Sequence, residues 1–207
     1  SEERRGLYLG MAEALAKLHA VRPDDVGLGD FGRPGNYFER QIARWTKQLR
    51  ESPGEPIPEL EVVADWLPAH LPDDDGRVSI AHGDFRLGNL LFHPEKPEVI
   101  GILDWELSTL GHPVADLATM LTYWHDRGDE ERSRISVAAG LSALPGFRTT
   151  DQLAQRYAVR TGRDLADLNF YLALGAMKLG VILEGVHARY LGGESVGDGY
   201  DRVGDAV

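Results

Sequence analysis

HGDFRLGN at residues 82–89, followed by IGILDWE at 100–106, decides how the rest of the chain reads. Short apolar, β-branched runs surround both stretches: VSIA at 78–81, NLLF at 89–92 and VIGILD at 99–104. Such runs predict short buried strands. HPEKPE at 93–98 joins the last two, and its two prolines suit a hairpin loop. Asp84 and Asn89 then fall on a loop between strands, and Asp104 ends the next hairpin strand. A hairpin can carry its strand end back beside the preceding loop, so these three oxygen-bearing side chains can converge. Carboxylate and amide oxygens with no soft ligand nearby are what Mg²⁺ prefers, and that ion takes its other ligands from substrate phosphates and water.

Outward from this centre the pattern turns helical. Leu7, Met11, Ala14, Leu15 and Leu18 recur at helical spacing and predict an amphipathic helix over 3–20. Arg22 to Gly35 is rich in Gly, Pro and Asp and reads as loop. Tyr37 to Leu49 reads as helix, broken by SPGEPIP at 52–58, and Glu59 to His70 as a further short helix closed by Pro72. Beyond Pro113, Val114, Leu117, Leu121 and Trp124 form one stripe. Thr149 with Gln152 makes a capping box for a helix that stops at Gly162. Asp164 to Leu191 is a long helix ended by Gly192 and Gly193, and 194–207 reads as a loosely ordered polar tail. The expected fold class is α+β and mostly helical. A doubly wound sheet is excluded, since it needs strands alternating with helices along the chain.

Composition bounds the function. The 207 residues carry a net charge of −11, which disfavours nucleic-acid binding by the surface as a whole. There is no cysteine, so disulfides, thiol catalysis and every Cys-based metal site are excluded. No apolar core follows the charges of the N-terminal SEERRGLYLG, and Lys178 interrupts the most apolar stretch, Phe170 to Leu183. No membrane partner and a cytoplasmic setting are expected.

The pair of motifs resembles the catalytic and metal loops of the protein-kinase-like fold, where HRDxxxxN precedes a metal-binding Asp on a hairpin. Gly83 in place of Arg is the variant of the aminoglycoside phosphotransferase and choline kinase-like enzymes. The continuation Asp104-Trp-Glu, Gly111, Pro113 and Asp116-Leu-Ala follows that family's ILDWExxxxGxPxxDLA pattern. DFGRPGNYFERQIARW at 30–45 looks like the kinase-like domain of acyl-CoA dehydrogenase family members 10 and 11 and their stand-alone bacterial relatives.

The resemblance implies a kinase-like C-terminal lobe over 1–193, with its catalytic and metal segment at 78–118. It implies transfer of phosphate from ATP, with Mg²⁺, to the hydroxyl of a small molecule, a hydroxyacyl group among the candidates. Asp84 would be the base, and Asn89 and Asp104 would hold Mg²⁺ against the nucleotide phosphates. Arg86 either contacts the transferring phosphoryl group or forms a surface salt bridge. Asp116 ties the catalytic loop to its helix, His82 packs beneath the loop, and Glu106 either orients a neighbour or is exposed. Arg40, Gln41, Arg44 and Trp45 either line a substrate pocket or form an exposed helix face.

Two look-alikes are set aside. Asp30-Phe31-Gly32 spells the kinase metal motif but precedes the catalytic loop and follows no strand. The GxGxxG of Gly27 to Gly32 follows a helix, with Pro34 and Gly35 where a helix should open. A kinase of this fold also needs an N-terminal lobe with a Gly-rich loop and a strand Lys. About sixty residues separate the first helix from the catalytic loop, and they read as helices and loops. The chain is therefore expected to lack that lobe and to be inactive alone. The competing readings are a non-catalytic kinase-like binding module and a metal-dependent hydrolase. The hydrolase has no bridging ligand for a second metal.

Overall fold

The computed structural model describes residues 2–33, 35–96, 98–130, 140–193 and 203. Helix α1 (Glu2–Ala20) buries Met11, Ala12 and Leu15. Helix α2 (Tyr37–Glu51) buries Ile42, Trp45 and Leu49, one residue per turn on one face. Helix α3 (Pro58–Ala69) opens on a proline, whose missing N–H costs nothing in the first turn.

Four short strands follow: β1 (Ser79–Ala81), β2 (Leu90–Phe92), β3 (Val99–Ile102) and β4 (Thr109–Gly111). They form two separate antiparallel ladders: the β2–β3 hairpin that the sequence predicts, and a second pair of β1 with β4. β1 pairs with β4 through Ser79↔Gly111 and Ala81↔Thr109. β2 pairs with β3 through Leu90↔Ile102 and Leu91↔Gly101, with an irregularity at Phe92. The sequence reading lacks β4, because Thr109-Leu-Gly is three residues with a glycine and carries no β-branched run. Gly111 is required there: a Cβ would come within 2.5 Å of the Tyr37 ring, by which α2 docks on this strand.

Helix α4 (Pro113–Tyr123) is capped by His112, whose Nδ1 accepts the Val114 N–H, and it buries Val114, Leu117 and Leu121 with Trp124 just beyond. Helix α5 (Thr150–Thr161) starts at the Thr149/Gln152 capping box and ends at Gly162 in the left-handed region, as the sequence predicts. Helix α6 (Leu168–Leu191) begins four residues later than expected, because the Asp164 side chain accepts the Ala166 N–H and holds a turn.

α6 packs on α4, α3 and α2. Its 24 residues are long and apolar enough to cross a membrane by length and composition. Here that apolarity is used in the core, where Phe170, Leu174, Met177 and Val181 are buried. The expected polar tail lies outside the described residues apart from Val203, which is buried against Leu179 and Leu183.

Candidate active site

The two ladders are linked twice. The chain leaves β1 through 82–89 to reach β2, and leaves β3 through 103–108 to reach β4. The register therefore lays these connections side by side. Leu103 N–H donates to the Asn89 carbonyl at 2.8 Å. The Leu103 carbonyl lies 2.8 Å from His82 Nε2. His82 Nδ1 in turn accepts the Asp84 N–H at 3.2 Å, which fixes the proton on Nε2. This imidazole is fully buried and braces one connection against the other.

Within the first connection, Asp84, Arg86 and Asn89 touch. Asn89 Nδ2 donates to Asp84 Oδ2 at 2.8 Å and to the Asp84 carbonyl at 2.9 Å. Arg86 Nε donates to the same Oδ2 at 3.0 Å. The Arg86 guanidinium also lies 5.5 Å from the Tyr123 ring centre. Burial raises the Tyr123 phenol to about 12, helped by the nearby Asp84 charge and a hydrogen bond to it. A neutral phenol at the end of α4 thus faces the Asp84 carboxylate.

The loop is anchored from behind by Asp116, only 1% exposed. Its two oxygens accept the N–H groups of His82 at 2.6 Å and Gly83 at 2.7 Å. His19 Nε2 of α1 approaches at 3.2 Å, and His19 Nδ1 meets the Tyr157 hydroxyl of α5 at 2.7 Å. Burial by itself would push the Asp116 carboxyl up, but His19 and the two backbone donors hold it below its ordinary value. The carboxylate joins α1, α4, α5 and the 82–89 loop, the tying role expected of it.

Asp104 follows Leu103 directly and has a φ of 64°. Aspartate tolerates the left-handed region better than most residues, and such positions cluster at functional sites. The carboxylate is exposed, and no described residue forms a hydrogen bond or ion pair with it. Asn89 is 5% exposed and uses its nitrogen on Asp84, which leaves its amide oxygen as an acceptor. A carboxylate and an amide oxygen, carried on adjoining connections, are the kinds of donor a hard cation takes.

Other expectations sort by contact. Arg40 donates to the carbonyls of Gly35 and Arg33 and so holds the loop before α2. Gln41 accepts the Trp45 indole N–H at 3.2 Å. Arg44 lines a groove of about 660 Å³ between α2 and α6. Asp30 and Glu106 are exposed, and Gly32 packs against Thr109 and Leu110 rather than beside the catalytic loop.

Two neighbours of the site have no site role in the sequence: Tyr123 and Lys178. Lys178 of α6 donates to the Gly83 carbonyl and lies 5.7 Å from the Trp45 ring centre. A lone lysine inside an apolar helical run was the available signal.

Comparison with known proteins agrees with this architecture. Rat acyl-CoA dehydrogenase family member 11 is 38% identical over 196 residues, spanning 93% of this chain and 25% of that protein. The chain thus spans about a quarter of that relative's length. A candidate aminoglycoside phosphotransferase from Ralstonia eutropha superposes with a TM-score of 0.85 at 40% identity, over 99% of this chain and 62% of that one. An aminoglycoside phosphotransferase from Streptomyces rimosus, solved with ADP and streptomycin, shares the fold with a TM-score of 0.59 at 19% identity, over 86% of this chain and 64% of that one. Residues 1–164 match the phosphotransferase enzyme family, and the chain belongs to that family.

Proposed function

We propose that the chain carries the catalytic base and the magnesium ligands of an ATP-dependent phosphotransferase acting on the hydroxyl of a small molecule, a hydroxyacyl group among the candidates. The observation that carries this reading is the Asp84 carboxylate, mostly buried and gripped by Asn89 and Arg86, with the segment that leads to Asp104 bonded to the Asn89 main chain through Leu103. Asp84 takes the proton of the acceptor hydroxyl. The acceptor oxygen bonds to the γ-phosphorus as the bond to the β-bridging oxygen breaks and ADP leaves.

Asn89 and Asp104 would hold Mg²⁺, which when bound neutralises charge on the nucleotide phosphates. Arg86 commits its Nε to Asp84 and keeps its terminal nitrogens for the charge that develops on the phosphoryl group. The chain covers 25% of the rat relative and 62% of the Ralstonia protein, so the test belongs on the full-length protein. Mg·ATP should bind there, and phosphate should pass to a hydroxyl acceptor. Asp84→Asn should keep nucleotide binding and lower transfer at least about 100-fold. Undiminished transfer would reject Asp84 as base, and no nucleotide binding would favour a kinase-like binding module.

A further inference from the structure

We infer that Lys178 is a positioning residue for catalysis: from α6, its ammonium grips the Gly83 carbonyl and sets the direction in which the catalytic loop presents Asp84. This rests on the reading of Asp84 as base. Gly83 is the hinge of that loop. Its φ is 83°, and a Cβ there would come within 2.5 Å of the Leu107 carbonyl oxygen. Its two peptide groups are held by opposite charges, the N–H by the Asp116 carboxylate and the C=O by the Lys178 ammonium. The peptide that follows Gly83 belongs to Asp84, so fixing the Gly83 carbonyl fixes the start of the base.

The sequence supplies the second argument. Lys178 is placed on α6 among buried Leu174, Met177, Leu179 and Val181. A charge in such a row is costly unless partners compensate it. Burial pushes the ammonium below the ordinary lysine range; Asp116 of α4 and Asp84 of the loop work against that, and Arg44 of α2 adds to it. The Trp45 ring supports the ammonium from α2. Among the described residues, the groups that call for a cation here are the Gly83 carbonyl it holds and the Asp116 and Asp84 carboxylates.

The test uses the full-length protein, Lys178→Met and Lys178→Arg, with ADP release from Mg·ATP and water as acceptor. Lys178→Met should leave KM for Mg·ATP within about twofold and lower kcat about 10- to 100-fold, the usual scale for a lost orienting partner. Lys178→Arg should restore most of kcat. Hydrogen–deuterium exchange of the peptide spanning 82–89 should speed up in Lys178→Met and return in Lys178→Arg, with the α1 peptide unchanged.

Should Met lower the urea midpoint, Lys178→Gln, a neutral donor, should fall between wild type and Met in both readouts. Wild-type kcat with wild-type exchange at 82–89 in the Met or Gln variant overturns the inference. If Asp84→Asn leaves ADP release unchanged, the base reading falls, while the exchange measurement still decides whether Lys178 holds the loop.

Discussion

The side-chain nitrogen of Asn89 lies 2.8 Å from Oδ2 of Asp84 and 2.9 Å from the main-chain carbonyl of the same residue. One amide thus pins Asp84 at both side chain and main chain, through its nitrogen alone. Asn89→Leu removes the pin and the oxygen together. The Mg²⁺ concentration giving half-maximal ATP turnover in the full-length protein should rise about 10- to 100-fold, as for lost metal-site groups. A Mg²⁺ titration at fixed ATP reads this, and an unchanged midpoint removes Asn89 from the metal site.

His82 accepts from one connection and donates to the other, and neither bond has a substitute in that buried position. His82→Phe keeps the volume but orphans the Leu103 carbonyl and the Asp84 N–H. Urea unfolding should show a loss of about 1–3 kcal/mol, the cost of unsatisfied buried groups.

Gly83→Ala meets both a left-handed backbone and the Leu107 carbonyl. The expected destabilisation is about 1–3 kcal/mol, accompanied by a fall in kcat larger than any change in KM for Mg·ATP. An alanine variant with wild-type stability and kcat would show that the loop can relax without consequence.

Asp116 sets an acid limit. Its folded carboxyl sits below the unfolded value of 3.8, so the anion's contribution is fully present above that pH. The contribution is lost as pH falls through the depressed folded value. Stability should therefore drop below about pH 4, and Asp116→Asn should flatten that acid limb while lowering stability at pH 7. Parallel acid limbs in the two proteins would remove Asp116 as its cause.

Thr149→Ala is the control away from the site. Losing the α5 cap should cost about 1 kcal/mol and leave Mg·ATP turnover unchanged. A change in turnover would show that α5 reaches the catalytic loop through more than the Tyr157–His19 contact.

What the sequence discloses follows from how local the cause is. α5 is legible to the residue because both of its ends are set within its own segment, one by the Thr149 and Gln152 side chains and the other by the left-handed backbone of Gly162. The motif around Asp84 is legible because its spacing lies on one loop, and the structure does gather Asp84, Arg86 and Asn89. β4 is not legible, since its pairing with β1 joins Thr109 to Ala81 across the whole second ladder. Nor is the grip of Lys178, whose partner carbonyl lies 95 positions earlier and is met only when α6 packs. Nor is Tyr123, which lies outside the stripe of Val114, Leu117, Leu121 and Trp124 and meets Asp84 only once α4 packs.

The two ladders have strands of only three or four residues each. Paired strands this short do not persist in water without other support. That support comes from His19, Asp116, Tyr157 and Lys178, carried by four different helices. The 78–111 segment is accordingly no portable cassette. Transplanted into a foreign scaffold, it would arrive with its reactive groups and without the braces that aim them.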